Sequence, residues 1–247
     1  METDSDLIFV DIGVTLSTVN GLMEQIWTAD KKVSLLITHE HTDHISGIVP
    51  FIRRFHPEIY TSAGTAGALS GKIDTDNIIT MQRDGYYDAD TFAISPFDIC
   101  HDAAEPFGFV VMTSHGNAGF ATDLGCITDK QLKPLEISDI LVIEANHDKE
   151  MLRKGSYPYY LKRRISGHRG HLSNDDTMAA LSTLHTGNLK HCLFAHISEE
   201  NNSYELLTQY AAFCENAYGL DVDVLQQKQY SCFDIDLLEL TKSGKSA

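Results

Sequence analysis

The sequence predicts a layered α/β protein. Short apolar runs of the length of buried strands recur along the chain, and stretches with helical spacing of apolar residues lie between them. Several of these runs end in a polar residue, as at Asp11, His39, Glu144 and His196. In layered α/β proteins, the catalytic and binding residues commonly lie on loops at the ends of buried strands. We expect one domain over residues 1–240 and a flexible tail over residues 241–247.

Six apolar runs predict strands, and four stretches predict helices. The strands are expected over 7–10, 33–37, 92–94, 109–112, 140–143 and 192–195, and the helices over 19–27, 65–69, 178–184 and 203–218. The third helix has the clearest start, because Ser173 and Asp176 form a Ser-x-x-Asp pattern like a capping box. The last helix has an apolar face that we expect to pack in the core. Its members are Leu206, Leu207, Tyr210, Phe213 and Cys214.

The composition argues against a membrane or secreted protein. No apolar run reaches the roughly 18–20 residues that span a bilayer, and the acidic N-terminus lacks the pattern of a signal peptide. The five cysteines are widely spaced without a Cys-x-x-Cys pair, so we expect reduced, mostly buried thiols in a cytoplasmic protein. They are Cys100, Cys126, Cys192, Cys214 and Cys232. A homodimer remains an open alternative.

The charge is unevenly distributed. A net charge of −16 argues against general polyanion binding, because phosphate contacts need Lys and Arg. Seven of the 19 basic residues nevertheless lie within positions 149–171, where Glu150 is the only acid. This basic segment is either an ordinary solvated surface or a cationic patch that holds phosphates. Its basic residues are Lys149, Arg153, Lys154, Lys162, Arg163, Arg164 and Arg169.

The motif Thr-His-Glu-His-Thr-Asp-His at positions 38–44 predicts a metal site. It follows a predicted buried strand, and at strand period His39 and His41 point to the same side and can bind one ion. The turn that follows lets Asp43 and His44 approach a second ion. Imidazole and carboxylate together suit Zn, Mn or Fe better than Ca.

Two ions need more ligands than this motif offers, and three downstream residues are candidates. His101, Asp123 and His196 each lie shortly after a predicted strand. A carboxylate between two ions can bridge them and share their charge.

In this order the motif and the downstream residues resemble the ligand pattern of the metallo-β-lactamase fold hydrolases. Further segments resemble the YycJ/WalJ/VicX group of exonucleases within that superfamily. The matching segments are 37–47, 101–108, 121–125, 143–148, 157–165, 170–174 and 195–202. Relatives usually begin with an additional strand and a Ser-Gly-Ser-x-Gly-Asn loop ahead of the stretch that matches 7–13 here.

The resemblance implies an αββα four-layer sandwich that binds two divalent ions, Mn or Zn, with Fe as a further option. The implied ligands are His39, His41 and His101 for the first ion, Asp43, His44 and His196 for the second, and Asp123 as the bridge.

The resemblance also implies a phosphodiesterase, known among relatives as a 5′→3′ DNA exonuclease associated with DNA repair. Nucleic acid, with DNA first, is therefore the expected partner. The ions would share a bridging water and turn it into a hydroxide nucleophile. Asp43 counts among the catalytic residues as a ligand. Glu144 and His171 resemble the Glu–His pair that protonates the leaving group in tRNA-processing enzymes of this fold.

Substrate contacts are expected mainly from the basic segment. The candidates are Lys162, Arg163 and Arg164, with His168 and His147 as further phosphate contacts. Asn201 either touches the substrate or fixes the loop that carries His196.

Two other functions remain open. A thioester or lactone hydrolase of the glyoxalase II type would use the same seven ligands, so the metal site does not discriminate between them. A regulatory metal protein without activity is the third alternative. The basic segment and the pair of Glu144 and His171 favour phosphodiester chemistry.

Overall fold

The computed structural model describes residues 1–3, 5–26, 30–76 and 78–226, so the predicted tail over 241–247 lies outside the described residues. The chain divides into two compact units. The first comprises Met1–Asp98 with Asp102–Phe109, and the second comprises Ile99–His101 with Val110–Ala247. The single domain expected over 1–240 stays a prediction.

The first unit contains a parallel sheet and four helices among its described residues. In chain order its elements are β1 (Asp6–Val10), α1 (Leu16–Ile26), β2 (Lys32–Leu36), α2 (Thr42–Ile45), α3 (Ile48–Phe55), β3 (Glu58–Ser62), α4 (Ala63–Leu69), β4 (Ile78–Met81), β5 (Tyr87–Asp88) and β6 (Phe92–Asp98). Strands β1 to β4 pair in sequence order, all in parallel, and β5 pairs with β6 in antiparallel orientation.

Helix packing on the parallel sheet forms the core of the first unit. Phe51 of α3 is fully buried, and its ring centroid lies 5.0 Å from that of Phe9 on β1. Leu35 and Ile37, at the end of β2, are likewise fully buried. This packing fixes the carboxyl ends of β1 and β2, from which the loops with Asp11 and His39 emerge.

The strand β7 (Phe107–Thr113) runs from the first unit into the second. The elements that follow are β8 (Gly116–Ala121), α5 (Asp129–Leu135), β9 (Ile140–Glu144), α6 (Lys149–Lys154), α7 (Tyr159–Ile165), α8 (Asn174–Leu184), β10 (His191–Ala195), α9 (Tyr204–Tyr218) and β11 (Asp221–Val224). The strands of the second unit lie in the order β11-β10-β9-β8-β7, and β8 to β11 are parallel. Glu144 and His196 therefore occur at carboxyl ends of neighbouring strands.

The predicted α/β class is confirmed, and every predicted strand and helix overlaps an observed one. Ser173 caps α8 as expected, since its Oγ accepts a hydrogen bond from the backbone N–H of Asp176. One expectation for α9 was wrong. Phe213 is 52% exposed and packs edge-on against Tyr218, whereas Leu207 and Cys214 are buried. The buried face of α9 is narrower than the apolar pattern suggests.

Within the described part of the chain, no helix is both long and apolar enough to cross a membrane.

Candidate metal centre

The loop that follows β2 brings three imidazoles together, and we call residues 38–44 the histidine loop. The ring centroid of His39 lies 4.5 Å from that of His41 and 4.2 Å from that of His44. His39 is fully buried. Asp43 lies in the first turn of α2, with Oδ2 3.7 Å from Nε2 of His44. The loop thus gathers the imidazole and carboxylate donors that suit Zn, Mn or Fe.

Asp11, directly after β1, holds the histidine loop in place. Nδ1 of His44 donates to Oδ2 of Asp11 at 2.7 Å. Thr38 donates to the same carboxylate from its backbone N at 2.8 Å and from Oγ1 at 2.7 Å. Because a carboxylate only accepts hydrogen bonds, Nδ1 of His44 carries the proton. The lone pair is then on Nε2, which is the nitrogen that a cation would bind.

Thr38 orients His39 through a hydrogen bond with Nδ1 of its imidazole. Its Oγ1 donates to Asp11 and so accepts from Nδ1 of His39, 3.0 Å away. The loop after β1 also contacts the histidine loop closely: a methyl group on Gly13 would lie 1.6 Å from the carbonyl oxygen of Asp43. Only glycine allows the two loops to approach this far.

Glu144 organises the corresponding cluster of the second unit, and we call Asp123, Glu144, His171 and His196 the Glu144 cluster. Glu144 is fully buried at the end of β9. Its Oε1 accepts hydrogen bonds of 2.8 Å from Nδ1 of His171 and from Nδ1 of His196. Its Oε2 accepts from the backbone N–H groups of Leu124 at 2.8 Å and Leu172 at 3.1 Å. Four donors thus converge on one carboxylate.

These contacts keep Glu144 ionised. Burial has the largest single effect and raises the pKa of Glu144, but the hydrogen bonds from His171 and His196 and the electrostatic interaction with both imidazoles together outweigh it and hold the pKa below its ordinary value. The carboxylate therefore acts as an acceptor that fixes two imidazoles, each with its proton on Nδ1.

Asp123 lies among three imidazoles. Its Oδ1 is 3.6 Å from Nε2 of His101, 3.5 Å from Nε2 of His196 and 3.5 Å from Nδ1 of His171. His101 is fixed in turn, because its Nδ1 donates to the carbonyl oxygen of Gly170 at 3.1 Å. Asp123 is 1% exposed and His101 is 2% exposed. One buried carboxylate oxygen is thus placed to share cations with imidazole nitrogens on either side.

The donors of the second unit therefore fit a divalent cation. All four members of the Glu144 cluster place a ligand atom within 4.8 Å of one another. A buried group of negative carboxylates and neutral imidazoles gains most from a bound positive ion.

Asp11 and two members of the Glu144 cluster adopt a left-handed backbone conformation. Asp11, Asp123 and His196 have φ values of 60°, 58° and 52°. Residues with a Cβ adopt this conformation at a cost of order 1–3 kcal/mol, and such costs concentrate at functional sites. Each residue follows a strand, and the conformation turns the chain sharply there.

The predicted substrate residues of the basic segment differ in their contacts. The Lys162 ammonium donates to the carbonyl oxygens of Arg153 at 2.8 Å and Gly155 at 2.7 Å, so it caps the end of α6. Arg163 and Arg164 are exposed on α7. The guanidinium carbon of Arg163 lies 5.9 Å from the ring centroid of Tyr159, within the range of a cation–π contact.

The other predicted substrate residues lie outside α7. His168 is exposed, with Nε2 3.2 Å from Sγ of Cys126. Asn201 is 1% exposed, its backbone N donates to Ser198 and its carbonyl oxygen accepts from Asp148. These contacts favour a role in fixing the loop that carries His196. His147 is 2% exposed, which makes it a poor phosphate contact.

Asp11 and Thr38 are the residues whose roles sequence reasoning missed. The sequence marks Asp11 only as a polar residue at a strand end, because 33 positions separate it from His44. Asn146 was also missed, although its Nδ2 donates to the carbonyl oxygen of His196 at 2.8 Å. Contacts this distant in sequence leave no local pattern.

Comparison with known proteins places these findings in a family context. A family model described as the beta-lactamase superfamily domain matches residues 18–197. Exodeoxyribonuclease YycJ of Bacillus anthracis is 33% identical over 208 residues, which are 83% of this chain and 79% of the relative. Exodeoxyribonuclease WalJ of Streptococcus pneumoniae is 31% identical over 231 residues, which are 90% of this chain and 86% of the relative.

A solved structure shares the fold. The metallo-β-lactamase fold protein YhfI of Bacillus subtilis matches with a TM-score of 0.66 at 14% identity, over 91% of this chain and 87% of that chain. At 14% sequence identity, this similarity shows a shared fold and nothing about function.

Proposed function

This chain belongs to the metallo-β-lactamase superfamily and, within it, to the family of the YycJ and WalJ exodeoxyribonucleases, and on this basis we propose that it is a dinuclear metal-dependent 5′→3′ DNA exonuclease. The predicted fold class of metallo-β-lactamase type is confirmed, and the chain is an enzyme of the metal-dependent hydrolase class. We further propose a cytoplasmic protein that acts in DNA repair.

We assign the ligands by the family pattern. The first ion takes His39, His41 and His101, the second takes Asp43, His44 and His196, and Asp123 bridges them. The position of Asp123 Oδ1, 3.6 Å from Nε2 of His101 and 3.5 Å from Nε2 of His196, is the observation that carries this assignment. Two bound Mn²⁺ or Zn²⁺ ions, or Fe ions, would activate water and polarise a phosphodiester.

His171 is our candidate for the proton donor to the leaving oxygen. Its Nδ1 is held by Glu144, so a proton on Nε2 is the one it can give away, and its side chain is 15% exposed. An alkoxide is a poor leaving group and needs that proton. Glu144 accepts four hydrogen bonds and is fully buried, so we assign it a positioning role.

We propose that α7 contacts the DNA. Tyr159 and Tyr160 are 75% and 74% exposed, next to the exposed Arg163 and Arg164. Arginine with exposed aromatic rings is the combination that binds single strands, through phosphate contacts and base stacking. The Lys162 ammonium already binds two carbonyl oxygens, so we expect its contribution to DNA binding to be small.

The test is cleavage of end-labelled nucleic acid by the full-length chain with Mn²⁺. Single- and double-stranded DNA and RNA carry the label at the 5′ or the 3′ end. A 5′→3′ exonuclease releases 5′ label as mononucleotide from the first turnover, and it shortens 3′-labelled DNA through a ladder of products. The Asp43→Ala/His44→Ala variant, which lacks two ligands, is expected to be inactive.

Other outcomes would identify the alternatives. Internal fragments from both labels would indicate an endonuclease, and preferential cleavage of RNA would replace DNA as the substrate. Hydrolysis of a thioester or lactone without cleavage of any nucleic acid would refute the nuclease proposal.

The role of His171 has its own test. The His171→Ala variant is expected to cleave DNA about 10²–10⁴-fold more slowly. It should cleave a p-nitrophenyl phosphodiester almost normally, because nitrophenolate leaves without a proton. Equal losses on both substrates would exclude His171 as the acid.

The DNA surface is tested by salt dependence. Arg163→Ala/Arg164→Ala should weaken the binding of single-stranded DNA and lower the magnitude of the slope of log affinity against log salt by roughly 0.7 for each phosphate that the variant no longer neutralises. The matched control is Lys130→Ala/Lys133→Ala on α5, which also removes two charges and should leave the slope unchanged. Equal effects of both pairs would exclude a specific surface on α7.

A further inference from the structure

Three side chains outside the predicted ligand set meet in the second unit. Cys100, Cys126 and His168 each place a potential ligand atom within 4.8 Å of the other two. Sγ of Cys126 is 3.2 Å from Nε2 of His168. Cys100 and Cys126 are partly buried, and His168 is exposed. We call these residues the thiol cluster.

The backbone brings the three segments of the thiol cluster together. The backbone N–H of Gly125 donates to the carbonyl oxygen of Cys100 at 2.8 Å. A methyl group on Gly125 would lie 2.4 Å from the carbonyl oxygen of His168 and 2.3 Å from the backbone N of Gly170. The segment with Cys126 therefore touches the segment with His168, and only a glycine permits this contact.

Each segment also carries a residue of the proposed active site. Cys100 precedes His101, Cys126 follows Asp123 by three positions, and His168 precedes His171 by three. Arg169 donates from Nε to the carbonyl oxygen of His101 at 2.9 Å, so the third segment also contacts the first. A link among the three side chains would tie together the segments that position these residues.

The chemistry of the cluster selects a thiophilic divalent ion. Two sulfur atoms and one imidazole nitrogen are the donors that zinc prefers. With Zn–S of about 2.3 Å and Zn–N of about 2.0–2.1 Å, ligand atoms lie roughly 3.3–3.8 Å apart around a tetrahedral ion. Sγ of Cys126 and Nε2 of His168 are 3.2 Å apart, and each ligand atom of the cluster lies within 4.8 Å of the other two.

The imidazole distinguishes a metal site from a disulfide. A Cys100–Cys126 disulfide would use the two sulfur atoms alone, whereas a divalent ion binds both sulfur atoms and the His168 nitrogen together.

We propose that Cys100, Cys126 and His168 bind one zinc ion, which is separate from the two ions of the proposed active site and clamps the three segments that carry His101, Asp123 and His171. The zinc site does not depend on the substrate of the enzyme. All its ligands belong to the second unit.

The experiment is cobalt substitution of the full-length, reduced, metal-free chain. Thiolate bound to Co²⁺ gives a charge-transfer band in the near ultraviolet. The proposed active site contains only His and Asp ligands, so it cannot produce this band. The wild type is expected to show the band at one equivalent of thiolate-bound Co²⁺ per chain, and added Zn²⁺ should abolish it. The Asp43→Ala/His44→Ala variant should retain the band.

Variants of the cluster make the assignment specific. Cys126→Ser should lose most of the band. His168→Ala changes an exposed residue and is therefore expected to stay folded, and it should weaken Co²⁺ binding by more than the roughly 10–100-fold typical of losing an outer partner. Cys214→Ala removes a buried thiol outside the cluster and should leave the band unchanged.

Three results would overturn the proposal. These are the absence of a thiolate band at saturating Co²⁺, a band of full intensity in Cys126→Ser, and unchanged Co²⁺ affinity in His168→Ala. A Cys100–Cys126 disulfide that forms in air in the presence of Zn²⁺ would likewise favour a redox pair over the metal site.

Discussion

In both the histidine loop and the Glu144 cluster, a carboxylate fixes the orientation of imidazole rings, but the two carboxylates accept different numbers of hydrogen bonds. In each, a carboxylate at a strand end accepts a hydrogen bond from Nδ1 of an imidazole. Asp11 accepts a hydrogen bond from one imidazole, that of His44 at 2.7 Å, and its other two hydrogen bonds come from the backbone N and the hydroxyl of Thr38. Glu144 accepts hydrogen bonds from two imidazoles, those of His171 and His196, both at 2.8 Å.

The two carboxylates also differ in their surroundings. The Asp11 side chain is 12% exposed, whereas that of Glu144 is fully buried and accepts two further bonds from backbone N–H groups. Unpaired donors cost more where water cannot replace the missing partner. The histidine loop also has backbone bonds, since the N–H of Ile12 donates to the carbonyl oxygen of His44 at 2.8 Å and the N–H of His44 donates to that of His41 at 3.0 Å. We therefore conclude that the Glu144 cluster depends on one residue, while the histidine loop shares its support between Asp11 and these backbone bonds.

The largest effect is expected from Glu144→Gln. The amide keeps the shape but presents an NH₂ group to donors that need an acceptor. Loss of one partner from a buried charged network costs about 3–5 kcal/mol. Urea unfolding of the metal-free chain should show this decrease in the free energy of unfolding. A decrease below about 1 kcal/mol would mean that Glu144 does not organise the cluster.

Asp11→Asn should have a smaller effect. It removes one charged acceptor in the histidine loop, which is worth about 1.5–3 kcal/mol. Metal affinity should fall by roughly 10–100-fold, the usual cost of losing the partner of a ligating histidine. Urea unfolding and isothermal titration with Mn²⁺ measure the two quantities. If Asp11→Asn costs as much stability as Glu144→Gln, the contrast between the two regions is wrong.

Asn202→Ala sharpens the comparison within the second unit. Nδ2 of Asn202 donates to the carbonyl oxygens of Ala145 and Asn146 and to Oδ1 of Asn174. All these bonds are neutral, so we expect a loss of about 1–2 kcal/mol in unfolding free energy. Metal affinity should change less than in Asp11→Asn, because Asn202 contacts no predicted ligand in the described structure. If Asn202→Ala lowered metal affinity more than Asp11→Asn does, the position of the loops that Asn202 holds would affect metal binding more than the carboxylate of Asp11 does.

Glu150→Gln should have the smallest effect. Glu150 pairs with Arg153 and Lys154 on the exposed face of α6, with distances of 2.8 and 3.2 Å. Solvent screens such pairs, so no measurable change in the urea midpoint is expected. A clear decrease would mean that charge pairing, rather than burial, explains the effect of Glu144→Gln.

The sequence predicted the parts of the site that are local in the chain. His39, His41, Asp43 and His44 lie within six positions, and their spacing identifies them without a structure. The partners of these ligands are distant in sequence. Asp11 reaches His44 across 33 positions, and Glu144 reaches His196 across 52. Only the fold brings such pairs together.

Two other expectations show where the sequence pattern is insufficient. The apolar stripe of α9 predicted a buried Phe213, but helical spacing does not show how wide the covering surface is. The cysteines were expected to be reduced and mostly buried. Cys100 and Cys126 lie 26 positions apart and form a cluster with His168 only because three loops of the second unit meet.

The most direct test of the proposed metal centre is the state of Mn²⁺ bound to the full-length chain. Mn²⁺ prefers oxygen and nitrogen ligands to thiolates, so it should report the His and Asp ligands alone. We predict two Mn²⁺ ions per chain with an exchange-coupled electron paramagnetic resonance spectrum, and loss of the coupling in Asp123→Asn. A single bound ion, or two ions without coupling in the wild type, would contradict the proposed pair of metals bridged by Asp123.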